Sequence, residues 1–187
     1  MESSHDDPLA LADPRLAVDL VGTLRYDRDT VVDQLADRRT ARTWLRERLR
    51  GVGGEPDDPA ELVRVRELIR ELFVAVVDQT TAPASTVWEL NNLAARAPVT
   101  LEATVHRDGT ITVKRSAQGT PAAVPYAELA RSALALLDHP ARERLRLCRA
   151  PGCILYFLTQ DPRQQWCSPN CGNRARVARH YARTRQP

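Results

Sequence analysis

The sequence predicts an α+β protein, with a mostly helical body that carries one β-hairpin and a small cysteine-containing module after it. Three observations lead to this fold class. Apolar residues recur with the helical period of about 3.6 residues through most of residues 1–140. A single pair of β-rich segments interrupts that pattern, and all four cysteines follow it, between Cys148 and Cys171. With 187 residues, 43% of them hydrophobic, the chain can bury a core.

Two helices are predicted before residue 51. Asp13 and Pro14 are typical of a helix start, and leucines follow them at four-residue intervals. These leucines are Leu16, Leu20 and Leu24. The second helix is predicted over residues 40–50 and ends at Gly51. Its apolar residues share one face and are Trp44, Leu45 and Leu49.

A longer helix is predicted from Asp58 to about Gln79. Asp58 is a favourable N-cap residue, Pro59 fits the first helical position, and Glu61 stands three residues after the cap. The apolar residues that this helix would bury follow the helical period and are Leu62, Val65, Leu68, Ile69, Leu72, Phe73 and Val76. We therefore expect it to be the central helix of the core.

Two further helices complete the body. Residues 86–96 are predicted to form a helix that Pro98 ends, and residues 126–137 a helix that stops before Pro140. The body is expected to comprise residues 1–140.

The single hairpin of the body is predicted between these two helices. Residues 99–105 and 110–114 are rich in residues that favour strands, and Asp108-Gly109 between them is a strong signal for a tight turn.

Charge is distributed unevenly along the chain. The net charge of +3 arises from 27 basic and 24 acidic residues. Residues 141–187 hold ten arginines and only two acidic residues, a balance of +8, which leaves −5 for residues 1–140. Because only Lys114 among the basic residues is a lysine, the abundance of arginine alone says little. The scarcity of acidic residues after residue 140 nevertheless predicts a segment that binds a polyanion.

The cysteines are the strongest candidate site in the sequence. They form a C-x4-C pair and a C-x3-C pair separated by thirteen residues, and they are Cys148, Cys153, Cys167 and Cys171. Two short pairs of this kind suit a tetrahedral metal ion, and zinc fits best. Disulfides, a redox-sensing set of thiols and an iron–sulfur cluster are the alternatives. A zinc ion held by four thiolates would have no open position, so its role would be structural.

The segments around the cysteines predict a knuckle, a hairpin and a helix in that order. A Pro-Gly turn separates the first two cysteines, and residues 154–158 and 164–166 are expected to pair as strands. Ser168 and Pro169 are expected to begin a helix that holds Cys171 in its first turn. This order is typical of a small treble-clef-like zinc finger, which we place in residues 141–187.

The helix predicted from Pro169 to about Arg183 has two faces. Its basic face carries Arg176, Arg179, His180 and Arg183. Its apolar face carries Val177, Ala178 and Tyr181 and is expected to pack on Leu155, Phe157 and Trp166. A basic face with apolar backing predicts contact with phosphates or entry into a major groove, and a solvated arginine face is the alternative. Arg174 and Arg185 are further candidate contacts with nucleic acid.

Membrane proteins and enzymes are not favoured. The longest apolar run, residues 72–77, is far shorter than the about 20 residues of a membrane span, and residues 1–7 do not resemble a signal peptide. We therefore expect a cytoplasmic protein with no membrane partner. His5, His106 and His139 have no evident Ser, Cys or carboxylate partner for catalysis, and the glycines of residues 51–54 follow a helix rather than a strand. No catalytic residue is expected.

The sequence Trp-Cys-Ser-Pro-Asn-Cys-Gly-Asn-Arg over residues 166–174, followed by Arg-His-Tyr over 179–181, resembles the CGNR zinc finger. That finger typically closes proteins whose N-terminal part is the ABATE domain, a family described as stress-induced transcription regulators. The resemblance implies a finger that binds DNA, and it implies the same four cysteines as zinc ligands. Two segments depart from the family pattern: Leu-Val-Gly-Thr at 20–23, where Phe-Val-Asn-Thr is usual, and Gln-Gln at 164–165, where arginine is common.

The predicted function is a zinc-containing transcription regulator that binds DNA. Residues 1–140 would sense a small-molecule ligand or form a homodimer, and the helix of the finger would contact nucleic acid, with duplex DNA as the expected partner. The alternative is an adaptor, in which the zinc module docks a protein or RNA.

Overall fold

The computed structural model of the protein describes residues 12–27, 30–49, 58–138 and 140–184. Its helices are α1 (Pro14–Val21), α2 (Arg38–Arg48), α3 (Pro59–Val77), α4 (Ala84–Ala95), α5 (Ala123–Leu137), α6 (Ala141–Arg144) and α7 (Pro169–Thr184). Its strands are β1 (Leu24–Asp27), β2 (Thr30–Asp33), β3 (Val99–Val105), β4 (Ile111–Ala117), β5 (Leu145–Leu147) and β6 (Tyr156–Leu158). In the described residues these strands pair into three separate antiparallel hairpins, β1-β2, β3-β4 and β5-β6. The predicted fold class, a mostly helical α+β protein, is confirmed.

Aspartate side chains begin the first three helices. Asp13, Asp37 and Asp58 accept hydrogen bonds of 2.8 to 3.0 Å from backbone N–H groups in the first turns of α1, α2 and α3. Each cap of this kind stabilises its helix by about 1 kcal/mol. The predicted starts of α1 and α3 are confirmed. The second helix begins earlier than predicted because its cap is Asp37.

The first helix is shorter than predicted. It ends at Val21, where the N–H and the hydroxyl of Thr23 both donate to the carbonyl of Leu20 at 3.1 and 2.6 Å. Leu24 therefore lies in β1 rather than in α1. The sequence does not predict the hairpin β1-β2, because strands of four residues carry too short an alternation to be distinguished from a continued helix.

The central helix of the core is α3, as predicted. It packs against α1, α4 and α5, and its fully buried residues are Leu62, Val65, Ile69, Leu72 and Phe73. Leu68 and Val76, which the period also assigns to the core, are only half-buried. No helix in the described ranges combines the length and the apolar content that crossing a membrane requires.

A partly buried ion pair connects the hairpin β1-β2 to the core. Arg66 of α3, whose side chain is 3% exposed, donates two hydrogen bonds to the carboxylate of Asp33, at 2.6 and 2.9 Å. A third hydrogen bond, of 3.2 Å, reaches the hydroxyl of Thr23. The hydrogen bonds from Arg66 lower the pKa of Asp33. Because the Asp33 side chain is 26% exposed and Arg66 also pairs with Glu67 at 3.0 Å, removing one partner should cost less than the about 3 to 5 kcal/mol of a fully buried pair.

The core of the body continues past residue 140. Leu145 of β5 and Tyr156 of β6 are buried in the same apolar cluster as the helices of the body. The ring of Tyr156 lies edge-on to Phe73 of α3, with ring centres 5.5 Å apart, and the guanidinium of Arg70 lies 5.7 Å from the centre of the Tyr156 ring. The division into domains of residues 1–140 and 141–187 stays a prediction. The apolar core of the body nevertheless includes residues from both sides of this boundary.

The strand pairing predicted inside the finger is wrong. The partner of β6 is β5, which precedes the knuckle, and residues 164–166 form no strand. Side-chain hydrogen bonds hold residues 160–164, after β6, in a turn. The side chain of Asp161 accepts from the N–H of Arg163 at 2.8 Å, and the side chain of Gln164 accepts from the N–H of Gln160 at 3.1 Å.

We predict that Tyr156→Ala destabilises the whole protein by about 3 to 5 kcal/mol, because it removes a buried aromatic ring from a core shared by finger and body. The control is Tyr181→Ala, which changes the same residue type at a position that is 62% exposed. It should alter the unfolding free energy by less than about 0.5 kcal/mol. Chemical denaturation followed by far-UV circular dichroism measures both. An unchanged transition of the helical body in Tyr156→Ala would contradict a shared core.

Candidate metal centre and nucleic-acid interface

The first cysteine pair lies on a tight knuckle, residues 148–153, between β5 and β6. The N–H of Cys148 donates to the carbonyl of Leu155 at 2.9 Å, and the N–H of Cys153 donates to the carbonyl of Ala150 at 3.0 Å. Gly152 has a φ of 67°, in the left-handed region that favours glycine. The knuckle therefore folds back on itself and brings both thiols to one side.

The second pair lies at the start of α7. Ser168 precedes the helix, and its hydroxyl accepts a hydrogen bond of 3.3 Å from the N–H of Cys171. Pro169 occupies the first helical position, where a missing N–H costs nothing. The structure thus places Cys171 in the first turn of the helix, as the sequence predicts, and Cys167 immediately before it.

The four thiols meet at one point. Their sulfur atoms all lie within 4.8 Å of one another, and the pairs Cys153–Cys167 and Cys167–Cys171 are 3.9 and 3.6 Å apart. A zinc ion with four bonds of about 2.3 Å would separate its sulfur ligands by about 3.8 Å. Sulfur atoms joined in a disulfide would be only about 2.05 Å apart. The arrangement fits a tetrahedral metal ion, and all four cysteines are free thiols.

Two hydrogen bonds to sulfur support the cluster. The N–H of Cys167 donates to the sulfur of Cys148 at 3.4 Å, and the guanidinium of Arg174 donates to the sulfur of Cys171 at 3.3 Å. Four thiolates around a divalent cation carry a net charge of about −2, which a neighbouring guanidinium partly neutralises. Arg174, predicted as a contact with nucleic acid, therefore has a partner within the metal centre.

Burial governs the protonation of the thiols. It raises the pKa of Cys153 to about 11 and, with the neighbouring thiols, raises the pKa of Cys167 as well. Burial also acts to raise the pKa of Cys171, but hydrogen bonds with Ser168 and the other thiols outweigh it and lower that pKa. Without an ion, Cys153 and Cys167 thus hold their protons at neutral pH, and a metal must displace them.

The apolar cluster around the cysteines is small. Its buried members are Cys148, Ala150, Phe157, Cys171 and Ala175. The ring of Trp166 packs on Gly172, where a Cβ atom would lie 3.3 Å from a ring carbon. A residue larger than glycine would therefore press on the tryptophan.

The predicted packing of the apolar face of α7 is wrong for two of its three residues. Val177 is 53% exposed and Tyr181 is 62% exposed, whereas Ala178 is half-buried. The buried positions are instead Cys171, Gly172 and Ala175. The metal centre and Trp166 cover only the first two turns of the helix, so the turns after Ala178 extend beyond the finger.

The predicted basic residues lie on this extended helix. Arg176, Arg179, His180 and Arg183 are all exposed, and Arg185 lies outside the described residues. Arg176 donates a hydrogen bond to the side chain of Asn173 one turn earlier. The guanidinium of Arg179 lies 5.9 Å from the centre of the Trp166 ring, a cation–π contact that couples it to the finger.

The sequence does not predict one basic residue of this surface as a contact with nucleic acid. Arg149, on the knuckle, lines a groove of about 330 Å³ together with Trp166 and Arg179. Its position beside Cys148 is the only signal in the sequence, and the sequence alone does not reveal that the knuckle faces α7.

A second groove, of about 850 Å³, lies where the ends of α3 and α5 meet the finger. Its apolar lining includes Leu72, Val76 and Leu137. Its charged residues come from the finger side and are Arg142, Glu143, Arg146 and Arg149. A groove with this lining borders both the body and the finger.

Comparison with protein families matches both parts of the chain. Residues 14–140 match the ABATE family, described as "Putative stress-induced transcription regulator". Residues 144–184 match the CGNR zinc finger. No curated protein matches the chain. The four thiols at tetrahedral separations and the match to a zinc-finger family identify zinc as the metal cofactor.

We predict one zinc ion per chain in freshly purified, reduced protein, because four converging thiols satisfy its tetrahedral coordination. Cys167→Ser should lose the ion while the helical signal of the body persists. Metal analysis by mass spectrometry and far-UV circular dichroism measure the two effects. Reduced parent protein without zinc would contradict the prediction.

The pKa directions predict how zinc affinity depends on pH. Because zinc bound by the four thiols would displace at least the protons of Cys153 and Cys167, the apparent affinity should fall by at least about a hundredfold for each unit by which the pH decreases near neutrality. Competition with a chromophoric chelator, over about one pH unit around neutrality, measures the slope. An affinity independent of pH would show that the thiols are already ionised before the ion binds.

Proposed function

The chain belongs to the ABATE family and carries a CGNR zinc finger, and from this premise we propose that it is a transcription regulator that binds DNA through α7. The observation that carries the proposal is a helix whose arginines are exposed and whose first turn is anchored in a four-cysteine cluster. Both matched families are regulatory rather than enzymatic. We propose further that the protein is not an enzyme and acts in the cytoplasm as part of a stress response.

The proposed zinc ligands are Cys148, Cys153, Cys167 and Cys171. Zinc in this position would fix the knuckle and the start of α7 relative to each other and would leave no coordination site for a substrate. Its role is then to orient the helix, and Arg174 would support it from outside the ligand set through Cys171.

The geometry of α7 suits a DNA groove. An α-helix with its side chains is about 10 to 12 Å wide, which matches the about 12 Å width of a major groove in B-DNA. On the exposed side, Asn173, Arg176 and His180 follow one another at intervals of three and four residues and form one stripe. We propose that Asn173 and His180 of this stripe face the bases, while arginines contact phosphates. These arginines are Arg149, Arg176, Arg179 and Arg183.

A second candidate function has one observation in its favour. Val177 and Tyr181 are exposed on the same extended helix, and exposed apolar and aromatic side chains are typical of a surface that docks another protein. In this alternative the finger is an adaptor for a protein or RNA, and its arginines bind acidic surfaces.

The body has two proposed roles, sensing and dimerisation. The groove of about 850 Å³ between the body and the finger is where a small molecule could influence the position of α7.

We predict that reversing Arg176 and Arg183 to Glu weakens binding to duplex DNA of any sequence. About three to five phosphate contacts per chain give a slope of roughly −3 to −4.5 in log affinity against log salt, and loss of two contacts should reduce that slope by about 2. Fluorescence anisotropy with a labelled duplex over a series of salt concentrations measures both quantities. Zinc content should stay unchanged, because neither residue is a proposed ligand.

The matched control reverses Arg42 and Arg46, two exposed arginines of α2, to Glu. It changes the net charge by the same amount on another helix. Equal losses in the two variants would show that binding follows net charge rather than contact with α7. Equal affinity of the parent and the Arg176/Arg183 variant at low salt would favour the adaptor.

A further inference from the structure

The hairpin β3-β4 has one apolar face and one polar face. Residues directly opposite each other in an antiparallel pair lie on the same face, and the register pairs Ala103 with Val113 and Val105 with Ile111. The apolar face consists of Leu101, Ala103, Val105, Ile111 and Val113. The polar face consists of Thr100, Glu102, Thr104, Thr112, Lys114 and Ser116. Such alternation is typical of a sheet that buries one side.

Nothing in the described part of the chain covers the apolar face. Leu101, Val105, Ile111 and Val113 are 55%, 71%, 66% and 49% exposed. A two-stranded hairpin alone is at best marginally stable in water, and a contiguous apolar patch of several hundred Å² marks an interaction surface. Among the described residues, the apolar face of the hairpin therefore has no packing partner.

The base of the hairpin is firmly attached to the body. Arg115 of β4 makes two hydrogen bonds, of 3.0 and 3.2 Å, to the carboxylate of Glu128, which is buried on α5. Ala117 packs against Ala97 and Val124, and the N–H of Gln118 donates to the carbonyl of Pro98 at 2.7 Å. These contacts hold the base of the hairpin against the body, and the apolar face extends away from them.

We propose that the apolar face binds the same face of a second copy of this chain and forms a twofold-symmetric dimer. Two hairpins stacked face to face would form a two-layered sandwich, with sheets about 10 Å apart. The five apolar residues carry no charge, and the one charged residue in line with them, Arg115, is paired with Glu128. An uncharged, purely apolar face is complementary to its own copy, as a twofold interface requires. It offers neither donors nor cations to nucleic acid.

The exposed area sets the strength of this dimer. The exposed fractions correspond to about 450 Å² per copy, so the pair would bury roughly 900 Å² in total, close to the about 1,000 Å² expected of a specific interface. The dimer should therefore be weak and depend on protein concentration. The proposed dimer does not depend on the proposed DNA binding. Only the expectation that the dimer would place two fingers on one duplex rests on that function.

The test measures the oligomeric state of the full, zinc-loaded chain by sedimentation velocity, at concentrations from about 1 to 200 µM. The parent protein should shift from monomer to dimer over this range. Val105→Lys and Ile111→Lys each place a charge in the apolar face and should weaken association at least tenfold. The matched controls, Thr104→Lys and Thr112→Lys, add the same charge to the polar face of the same strands and should associate like the parent.

All four substitutions are at exposed positions, so circular dichroism and zinc content should match those of the parent protein. A parent that stays monomeric at the highest concentration would overturn the proposal. So would a dimer that survives both substitutions in the apolar face, or one that the polar-face substitutions weaken equally. DNA affinity is measured separately, so failure of the dimer and failure of the proposed function are distinguishable.

Discussion

The C-terminal quarter of the protein depends on the convergence of four sulfur atoms. The cluster around the cysteines has only five buried residues, two of them cysteines, which is far too few to fold a module of this size by apolar burial alone. Bonds to a metal ion supply what the small core lacks, because the free energy of metal binding becomes free energy of folding. We propose that these bonds also set the direction of α7, since Cys171 lies in its first turn. Beyond Ala178, the cation–π contact of Arg179 with Trp166 is a further link between the helix and the finger.

The hairpin β5-β6 connects the finger to the core of the body, because its residues pack into both apolar clusters. Adjacent residues of a strand point to opposite sides, and here Tyr156 enters the core of the body while Phe157 enters the cluster around the cysteines. Leu145 adds a second contact with the body from the neighbouring strand. Strands of three residues therefore belong to two cores at once. This arrangement replaces a flexible linker, so the direction of the finger helix is set relative to α3.

Local chemistry explains which parts of the structure could be predicted. The Asp-Pro helix starts, the Asp108-Gly109 turn and the cysteine spacing are short-range signals, and the structure confirms the elements they predict. The predictions that were wrong needed tertiary information. Periodicity places Val177 and Tyr181 on one face, but it does not reveal that the finger covers only about the first two turns of α7. For the same reason Arg149 was missed: only the folded knuckle brings it to Arg179.

The small size of the finger connects the proposed DNA binding with the proposed dimer. A single helix with three to five phosphate contacts binds mostly through electrostatic attraction, which is similar for every DNA sequence. Specific recognition commonly buries more surface than one such module offers. A second finger on the same duplex would add its contacts at the high effective concentration that a dimer provides, without any new contact within one chain. A weak dimer serves this purpose better than a permanent one, because assembly on DNA then depends on the concentration of the regulator in the cell.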